Sequence, residues 1–319
     1  MPKARHGLWR ATLASRETLR REGEAVVTDS MTKELTRVVT FANCKGGTGA
    51  TSTAVNVAGL AAEGGWRTLF IDLDPHGNAG HDLGYYWDGR GDSGKLLRSA
   101  LVTGSALVPV IPDVRPGLDV ISGGEALDDW ESEITGRAHR SCPHQSLLAE
   151  ALAPIAPDYD LIVLDTPSTR PTLFQLALGA TRWIVVPTRA DRASIEGLRV
   201  LSRQIEIARD VNPDIELLGV VLFDVATSAT AVRRNAASDI ESALNGAAPL
   251  LKAVIQHAES CAVKARESGG LVHELADQAD DADQRSEAHG PGSTSALAED
   301  YVTLSQEVLQ RIQDAEQAK

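Results

Sequence analysis

The sequence predicts an α/β fold, with a doubly wound, mostly parallel sheet that carries helices on both faces. Apolar runs typical of buried strands alternate with helical patterns along most of the 319 residues. Three of these runs end in a glycine-rich loop or in aspartates, at 44–49, 72–74 and 165. Parallel strands bring their carboxyl ends to one edge of a sheet, so these polar ends predict a ligand site at that edge.

The composition is that of one large α/β domain with a sizeable core. The net charge of −13 excludes attachment to nucleic acid by the whole surface, but it leaves a local basic patch open. Cys44, Cys142 and Cys261 lie far apart and form no metal-binding or disulfide pattern, which predicts a reducing, cytoplasmic environment. The sequence has no run of about 18 apolar residues, so we expect no membrane span.

Residues 1–36 are predicted to be a basic N-terminal extension, and residues 37–319 to form the folded domain. The basic residues of the extension are Lys3, Arg5, Arg10, Arg16, Arg20 and Arg21. One interpretation is a solvated tail, and the other is an arm that touches DNA or a partner protein. The pattern favours the solvated tail.

Residues 38–61 have the pattern of a strand, a glycine loop and a helix. The apolar run Val38–Phe41 is followed by the sequence Lys45-Gly46-Gly47-Thr48-Gly49-Ala50-Thr51-Ser52. Such a loop directs backbone N–H groups inward at the N-terminus of a helix, where partial positive charge favours an anion. The ligand that this arrangement predicts is a polyphosphate. The standard Walker A pattern requires glycine at position 44 and lysine at position 50, where this sequence has Cys44 and Ala50.

Two later strands end in carboxylates. The first delivers Asp72 and Asp74, followed by Pro75-His76-Gly77-Asn78-Ala79. The second is Leu161-Ile162-Val163-Leu164, and it ends in Asp165. In phosphate-binding enzymes of this kind, such an aspartate helps to hold Mg²⁺ together with a hydroxyl of the glycine loop, which is Thr51 here.

The rest of the chain continues the alternation of strands and helices. We expect a helix near 95–102 and a helix over 191–209, with strands at 117–121, 182–187, 217–223 and 249–255. The acidic stretch 273–295 is predicted to be a flexible loop. A C-terminal helix over 295–315 carries an apolar stripe, and its polar face holds more acid than base. A membrane-binding helix favours lysine and arginine there, so we expect this stripe to pack on the domain.

Taken together, the motifs resemble the deviant Walker A family of ParA and MinD, a branch of the P-loop NTPases. That family has Lys-Gly-Gly-x-Gly-Lys-Thr-Thr/Ser, Asp-x-Asp-Pro-Gln-Gly-Asn-Ala and Asp-x-Pro-Pro, and this sequence matches all three in order. The departures are Ala50 for lysine, His76 for glutamine and Ser168 for the second proline. The segment Ser194–Leu198 also resembles the family's Ala-Leu-Glu-Gly-Leu helix near the dimer face. The resemblance covers about 37–272 and the last helix.

The resemblance implies a role for each matched residue. Lys45 would be the signature lysine, which reaches the nucleotide of a partner subunit, and Ala50 marks the missing lysine that cradles the phosphates. Asp74 would orient or activate the attacking water. The implied metal residues are Thr51, Asp72 and Asp165, and the implied nucleotide contacts are Gly46, Gly47, Thr48, Gly49, Thr51 and Ser52. Phe223 and Asp224, which follow a strand, are candidate contacts for the adenine.

The resemblance further implies an ATPase for plasmid or chromosome partition. Its cofactors would be ATP or ADP and Mg²⁺, and it would form a homodimer on nucleotide binding. Its partners would be non-specific double-stranded DNA and a ParB-type protein, in the cytoplasm and at the nucleoid, with no membrane attachment. The candidate DNA contacts are Arg233, Arg234, Lys252, Lys264 and Arg266, and each could equally be a solvated charge.

Ala50 predicts weakened nucleotide binding and little or no hydrolysis, because an ammonium is missing from the phosphate cradle. Its origin is either an engineered change or a natural variant, and the intact neighbouring motifs favour the engineered change. A non-hydrolysing, nucleotide-sensing scaffold is the alternative function. A third possibility is a metabolic relative, either an amidotransferase-type synthetase or the nitrogenase iron protein. The sequence has neither a substrate-domain signature for the first nor paired cysteines for the second.

Overall fold

The computed structural model describes residues 34–136, 144–226, 230–244, 249–283 and 293–318. Within these residues, eight strands form one sheet in the order β3-β4-β2-β5-β1-β6-β7-β8. All neighbouring strands are parallel except β3, which pairs antiparallel with β4. The strands are β1 (Val38–Phe41), β2 (Thr68–Asp72), β3 (Ile111–Arg115), β4 (Leu118–Ile121), β5 (Leu161–Asp165), β6 (Trp183–Thr188), β7 (Glu216–Val225) and β8 (Leu250–Gln256).

Helices connect these strands and cover both faces of the sheet. They are α1 (Ala50–Glu63), α2 (Ala79–Asp82), α3 (Tyr85–Asp88), α4 (Lys95–Thr103), α5 (Ala126–Gly136), α6 (Leu147–Leu152), α7 (Pro171–Ala180), α8 (Arg192–Ala208), α9 (Thr230–Leu244), α10 (Glu259–Ser268), α11 (Val272–Asp283) and α12 (Ser293–Gln317). Helices α1, α10, α11 and α12 pack on one face, and α4 to α9 pack on the other. The predicted doubly wound α/β fold is therefore confirmed.

The central strands are apolar on both faces because helices cover both. In β5, Leu161 and Val163 face the α1 side, whereas Ile162 and Leu164 face the opposite core. All five residues of β5 are buried. Continuous apolar strands of this kind are typical of parallel sheets. They explain why the strands near the site are recognisable from sequence.

Strand β1 lies in the middle of the sheet, between β5 and β6. The chain leaves β1 through α1 and enters β2, which lies on the far side of β5. The strand order therefore reverses beside β1, and α/β sheets bind ligands at the carboxyl ends of strands at such a point. The glycine loop follows β1 directly, so the fold places it at this position.

The C-terminal part of the fold differs from the prediction in one respect. The sequence predicts a flexible loop over the acidic stretch 273–295, but α11 already spans Val272–Asp283. Leu275 and Ala276 of α11 are buried in the core, and that apolar face fixes the helix despite its acidic composition. The predicted C-terminal helix is confirmed as α12, and its apolar stripe packs on α1, α11 and β8.

Strand β3 is an element that the sequence did not reveal. It contains Pro112, and its middle residues are exposed. It also lies at the edge of the sheet, where proline and polar residues are tolerated because one side of the strand needs no partner. Its composition therefore resembles a loop.

The compact domain begins before residue 37. Leu35 is buried in the core, and the backbone oxygen of Thr36 accepts a hydrogen bond of 2.9 Å from Trp183 Nε1. The predicted N-terminal extension otherwise lies outside the described residues. Among the helices that the structure describes, none is long and apolar enough to cross a membrane.

We expect Leu304→Ala to lower the free energy of unfolding by about 2–5 kcal/mol, because Leu304 of α12 is 0% exposed and the truncation leaves a cavity in the core that α12 shares with α1. Gln306→Ala, at an exposed position on the same helix, should change it by less than about 0.5 kcal/mol. Urea denaturation measures both values. Equal values for the two variants would contradict the packing of α12 described here.

Candidate functional site

The glycine loop leaves the N-terminus of α1 open to a ligand. The helix begins at Ala50, and no side chain from the described residues caps it. The N–H groups of the first turn of a helix have no partner within that helix. They therefore present partial positive charge to an anion in the loop.

Two glycines give the loop its shape. Gly47 and Gly49 have φ angles of 74° and 84°, a conformation that residues with a side chain rarely adopt. A Cβ atom on Gly49 would also lie 2.3 Å from the ring of Phe223. Phe223, at the end of β7, is therefore in direct contact with the glycine loop. The other candidate base contact, Asp224, follows it in a left-handed conformation with φ of 61°.

The side chain of Lys45 is held within its own chain by the start of α8. Its Nζ atom lies 2.8 Å from Asp191 Oδ1 and donates a hydrogen bond of 3.0 Å to Ser194 Oγ. Burial would raise the pKa of Asp191, but the Lys45 ammonium and the Ser194 hydroxyl outweigh it and hold that pKa well below its usual value. Asp191 also caps α8 by accepting a hydrogen bond from Ser194 N. One aspartate thus joins the loop to the helix.

The backbone of Lys45 is fixed as well. Lys45 N donates to Asn43 Oδ1 at 3.0 Å, and Asn43 Nδ2 donates to the backbone oxygen of Pro187 at 2.7 Å. A Cβ atom on Gly197 would lie 3.0 Å from Asn43 Oδ1 and 3.5 Å from Lys45 Cβ. A glycine at position 197 therefore lets α8 approach the loop closely.

Two fully buried carboxylates lie side by side at the ends of β2 and β5. Asp72 and Asp165 are direct partners in the strand register, and both residues are 0% exposed. Asp72 Oδ1 accepts a hydrogen bond of 2.8 Å from Asp74 N. Asp72 Oδ2 and both carboxylate oxygens of Asp165 form no hydrogen bond of good geometry within the described part of the chain, although the Thr51 hydroxyl lies close enough to Asp165 to stabilise its charged form.

The two buried carboxylates resist ionisation. Burial raises the pKa of Asp72 well above its usual value, and the charge of Asp165 adds to the rise. Burial likewise raises the pKa of Asp165 to about 8, with Asp74 adding to the rise and the Thr51 hydroxyl opposing it. Three buried carboxylate oxygens without a hydrogen bond of good geometry fit a hard cation, which prefers oxygen ligands.

The donor set fits Mg²⁺ that arrives with a phosphate ligand. Among the described residues, no group of three or more His, Cys, Asp or Glu side chains is placed to hold a metal ion. Mg²⁺ keeps several waters and is commonly held by one or two carboxylates and the phosphates of a substrate. Thr51, Asp72 and Asp165 suit that arrangement better than a permanent metal centre.

Asp74 lies next to the buried pair and is nearly buried itself. Its Oδ1 accepts a hydrogen bond of 2.9 Å from His76 N and lies 2.9 Å from His76 Nδ1. Its charge raises the pKa of both Asp72 and Asp165, so the three carboxylates are close together. The structure thus brings the motif around Asp74, the end of β5 and the glycine loop to one edge of the sheet.

The remaining candidate residues are more scattered. Asp224 pairs with Arg189 at 2.7 Å and with His257 at 2.5 Å, so both of its carboxylate oxygens are already engaged. The basic candidates with described side chains are all exposed and lie on three different elements: Arg234 on α9, Lys252 on β8, and Lys264 and Arg266 on α10. Arg266 forms an ion pair of 2.9 Å with Asp82, whose side chain is 10% exposed. The side chain of Arg233 lies outside the described part of the structure.

Sequence reasoning matched the segment Ser194–Leu198 to a family helix but did not predict that Lys45 is positioned by Asn43, Asp191, Ser194 and Gly197. One signal was present, since an aspartate directly before a helical pattern predicts an N-cap. The pairing of that cap with a lysine 146 positions away depends on the sheet topology. No local pattern encodes it.

The open N-terminus of α1, the glycine loop and the strand-end carboxylates on a parallel sheet define a P-loop NTPase. A family model described as an AAA domain matches residues 36–217. The chromosome partitioning protein ParA of Myxococcus xanthus is 32% identical over 187 residues, which cover 58% of this chain and 64% of that protein. The protein of the same name from Caulobacter vibrioides is 36% identical over 188 residues, which cover 58% of this chain and 68% of the relative. This chain belongs to the ParA-type partition ATPases.

Solved structures agree with this fold. A complex of Cyanothece McdA with ATP, in which McdA carries a single substitution, has a TM-score of 0.65 at 18% identity and covers 86% of this chain and 96% of that one. Cobyrinic acid a,c-diamide synthase from Mycobacterium smegmatis, with bound ADP and magnesium, has a TM-score of 0.59 at 26% identity, covering 73% of this chain and 92% of that one. ADP and Mg²⁺ are therefore ligands of a protein with the same fold.

We expect the metal-free chain to lose stability as the pH rises through the neutral range. The pKa of Asp165 is raised from 3.8 in the unfolded chain to about 8 in the folded chain. Protonated Asp165 therefore stabilises the fold fully below pH 3.8, and this stabilisation is lost as the pH rises toward about 8. The slope should approach about 1.4 kcal/mol per pH unit for one carboxyl group. Urea denaturation in EDTA at several pH values measures it.

Asp165→Asn is the control, because an amide has no proton to release in this range. Its unfolding free energy should depend less steeply on pH between about 4 and 8 than that of the parent chain. An unchanged slope in Asp165→Asn would show that other groups cause the pH dependence.

Proposed function

We propose that this protein is a ParA-like ATPase that acts in plasmid or chromosome partition and binds ATP or ADP with Mg²⁺. The observation that carries the proposal is the meeting of the glycine loop with Asp72, Asp74 and Asp165 at one edge of the sheet. Phosphoryl transfer depends on positioning and on neutralising charge, and this edge offers both backbone donors and carboxylates for a cation. The same proposal places the protein in the cytoplasm, in association with the nucleoid.

Each residue of the site has a role in this proposal. The backbone N–H groups from Gly46 to Ser52 hold the phosphates. Thr51 and Asp165 hold Mg²⁺, and Asp72 supports them from the neighbouring strand. Asp74 accepts a hydrogen bond from the attacking water and orients it. Bound Mg²⁺ offsets the negative charge of the phosphates and of the buried carboxylates together.

The proposal includes a nucleotide-dependent homodimer in which Lys45 reaches the nucleotide of the partner subunit. Within one chain, Lys45 is occupied by Asp191 and Ser194. If Lys45 turns toward the nucleotide of the partner subunit, its ion pair with Asp191 is replaced by an ion pair with a phosphate. The exposed half of Asp191 leaves this pair accessible to solvent, which keeps the free-energy cost of the exchange small.

The proposed partners are non-specific double-stranded DNA and a ParB-type protein. DNA contact would use exposed basic residues, of which Arg234, Lys252 and Lys264 are the candidates. Arg266 is a weaker candidate than the sequence indicated, because Asp82 engages it. With a net charge of −13, the chain would bind DNA through a confined surface.

Ala50 favours a second function, in which the chain senses nucleotide without hydrolysing it and regulates a partner. The loop retains its backbone donors and its open helix N-terminus, so nucleotide binding needs no lysine in principle. Hydrolysis requires more, because the transition state spreads charge over the terminal phosphate. We therefore propose weak binding and little turnover for the chain as it stands.

Ala50→Lys should raise ATP turnover by on the order of 10²–10³-fold, the loss expected when one charge-stabilising donor is absent. Ala50→Met is the matched control, since it adds a long side chain without an ammonium and should stay at the parent level. Phosphate release measures turnover. Calorimetry with ATP and Mg²⁺ measures binding in all three chains.

The outcomes separate the two functions. Equal turnover in the lysine and methionine variants, with nucleotide binding retained, would favour the non-hydrolysing sensor. The absence of nucleotide binding even in Ala50→Lys would overturn both proposals. Sedimentation of the parent and Ala50→Lys chains, with and without ATP, Mg²⁺ and duplex DNA, tests dimer formation and DNA binding together.

Binding to duplex DNA in the presence of ATP and Mg²⁺ should weaken steeply as salt increases. Replacement of Arg234, Lys252 or Lys264 by alanine should each reduce the slope of log K against log salt by about one if that residue contacts a phosphate. Arg98→Ala is the control, because Arg98 pairs with Glu133 of α5 and lies neither on a candidate DNA-binding element nor on α8. A DNA affinity that is independent of salt would contradict the proposed DNA contact.

A further inference from the structure

Ser168 differs from the family pattern, and the proposed function assigns it no role. It follows β5 by three residues, in the position of the second proline of Asp-x-Pro-Pro. Proline has no backbone N–H and no side-chain donor. Serine at this position therefore adds two hydrogen-bond donors to the loop after Asp165.

The hydroxyl of Ser168 lies directly against the glycine loop. A Cβ atom built on Gly46 would be 3.4 Å from Ser168 Oγ. Gly46 lies near the start of the loop, whereas Ala50 and Thr51 lie at its end, in the first turn of α1. Ser168 therefore approaches the end of the loop that is farther from the helix.

Both donors of Ser168 are available to a ligand. Neither its hydroxyl nor its backbone N–H forms a hydrogen bond with the residues that the structure describes. The residue is partly exposed, so solvent or a ligand can reach it. A hydroxyl that lies against a phosphate-binding loop and has no partner in the described part of the protein is suited to an anion.

The segment that carries Ser168 is held at both ends. Thr166 Oγ1 donates a hydrogen bond of 3.2 Å to the backbone oxygen of Phe41, at the end of β1. Arg170 forms ion pairs with Asp128 at 2.5 Å and with Glu131 at 3.2 Å, both on α5. Donors in a segment fixed in this way lose little conformational freedom on binding.

The position of the metal residues indicates which phosphate lies beside Ser168. In P-loop enzymes, the loop hydroxyl and the strand-end aspartate hold Mg²⁺, which neutralises charge on the terminal phosphates. Thr51 and Asp165 would hold it here, so the phosphates nearest the metal would lie at the N-terminus of α1. A terminal phosphate that continues along the loop toward its start would come within reach of Ser168 Oγ, which lies 3.4 Å from a Cβ position on Gly46.

We propose that Ser168 binds the terminal phosphate of ATP through its hydroxyl and its backbone N–H, and that it offsets part of the loss of the lysine at position 50. This inference rests on the proposed function, because it requires that ATP occupies the loop. It makes Ser168 a residue that distinguishes ATP from ADP. Ala50 leaves a neutral methyl group where the family has an ammonium, so neutral donors carry more of the recognition of the terminal phosphate.

The test compares ATP, a non-hydrolysable ATP analogue and ADP, each with Mg²⁺, by calorimetry on the full chain. Ser168→Ala removes the hydroxyl and should weaken ATP and analogue binding roughly tenfold or more, with ADP affinity unchanged. Ser168→Pro removes both donors and should weaken ATP binding further. Ser168→Thr retains the hydroxyl and should keep most of the affinity of the parent. Thr169→Ala, at the exposed neighbouring hydroxyl, should change neither affinity.

A double variant tests the compensation for the missing lysine. In the Ala50→Lys background, the effect of Ser168→Ala on ATP affinity should shrink to less than about threefold, because the ammonium again binds the terminal phosphate. Equal losses of ATP and ADP affinity in Ser168→Ala, or no loss of either, would overturn the role of Ser168 while leaving the proposed ATPase intact. Failure of the parent and of Ala50→Lys to bind any of the three nucleotides would instead overturn the proposed function.

Discussion

Two carboxylates buried next to each other, Asp72 and Asp165, are the constraint on which the rest of the site depends. The parallel register of β2 and β5 brings them together, and no bulk water screens their repulsion. Burial of two negative charges is unfavourable unless a cation or a proton compensates for it. The loop, the helix N-terminus and the hydroxyl of Thr51 surround this pair with partial positive charge. The buried pair therefore favours a bound cation such as Mg²⁺ at this edge of the sheet.

Two cationic side chains near the site already have a carboxylate partner within the described part of the chain. Lys45 pairs with Asp191, and Arg266 pairs with Asp82. At position 50, where the family has a lysine, Ala50 carries no charge at all. The phosphates of a nucleotide therefore depend on backbone donors, on hydroxyls and on Mg²⁺ to a greater extent than in relatives with the complete motif. At such a site, a nucleotide would be held most favourably as its complex with Mg²⁺.

The sequence predicted the fold and the phosphate loop because both depend on local patterns. Continuous apolar strands, a glycine run before a helix and aspartates at strand ends are readable without knowledge of the tertiary structure. The contacts of Lys45 and of Ser168 depend on which strands lie next to β1, and that order is a property of the whole sheet. Helix α11 was missed for another reason, since its buried residues are few and its composition is acidic. Strand β3 was missed because an edge strand with a proline resembles a loop.

The docking of the last helix has a consequence for how the chain acquires its pocket during synthesis. Helix α1, which carries the open N-terminus, is buried against α12, and Asn56 of α1 accepts a hydrogen bond from the backbone of Val272. Arg115 of β3 likewise bonds to Glu274 and to the backbone of Gly269. These C-terminal residues are synthesised last. A nascent chain in which all three motifs are already complete therefore still exposes the apolar face of α1 to solvent. The native packing of α1, and with it the geometry of the loop at its N-terminus, is therefore complete only after the C-terminal third has been synthesised.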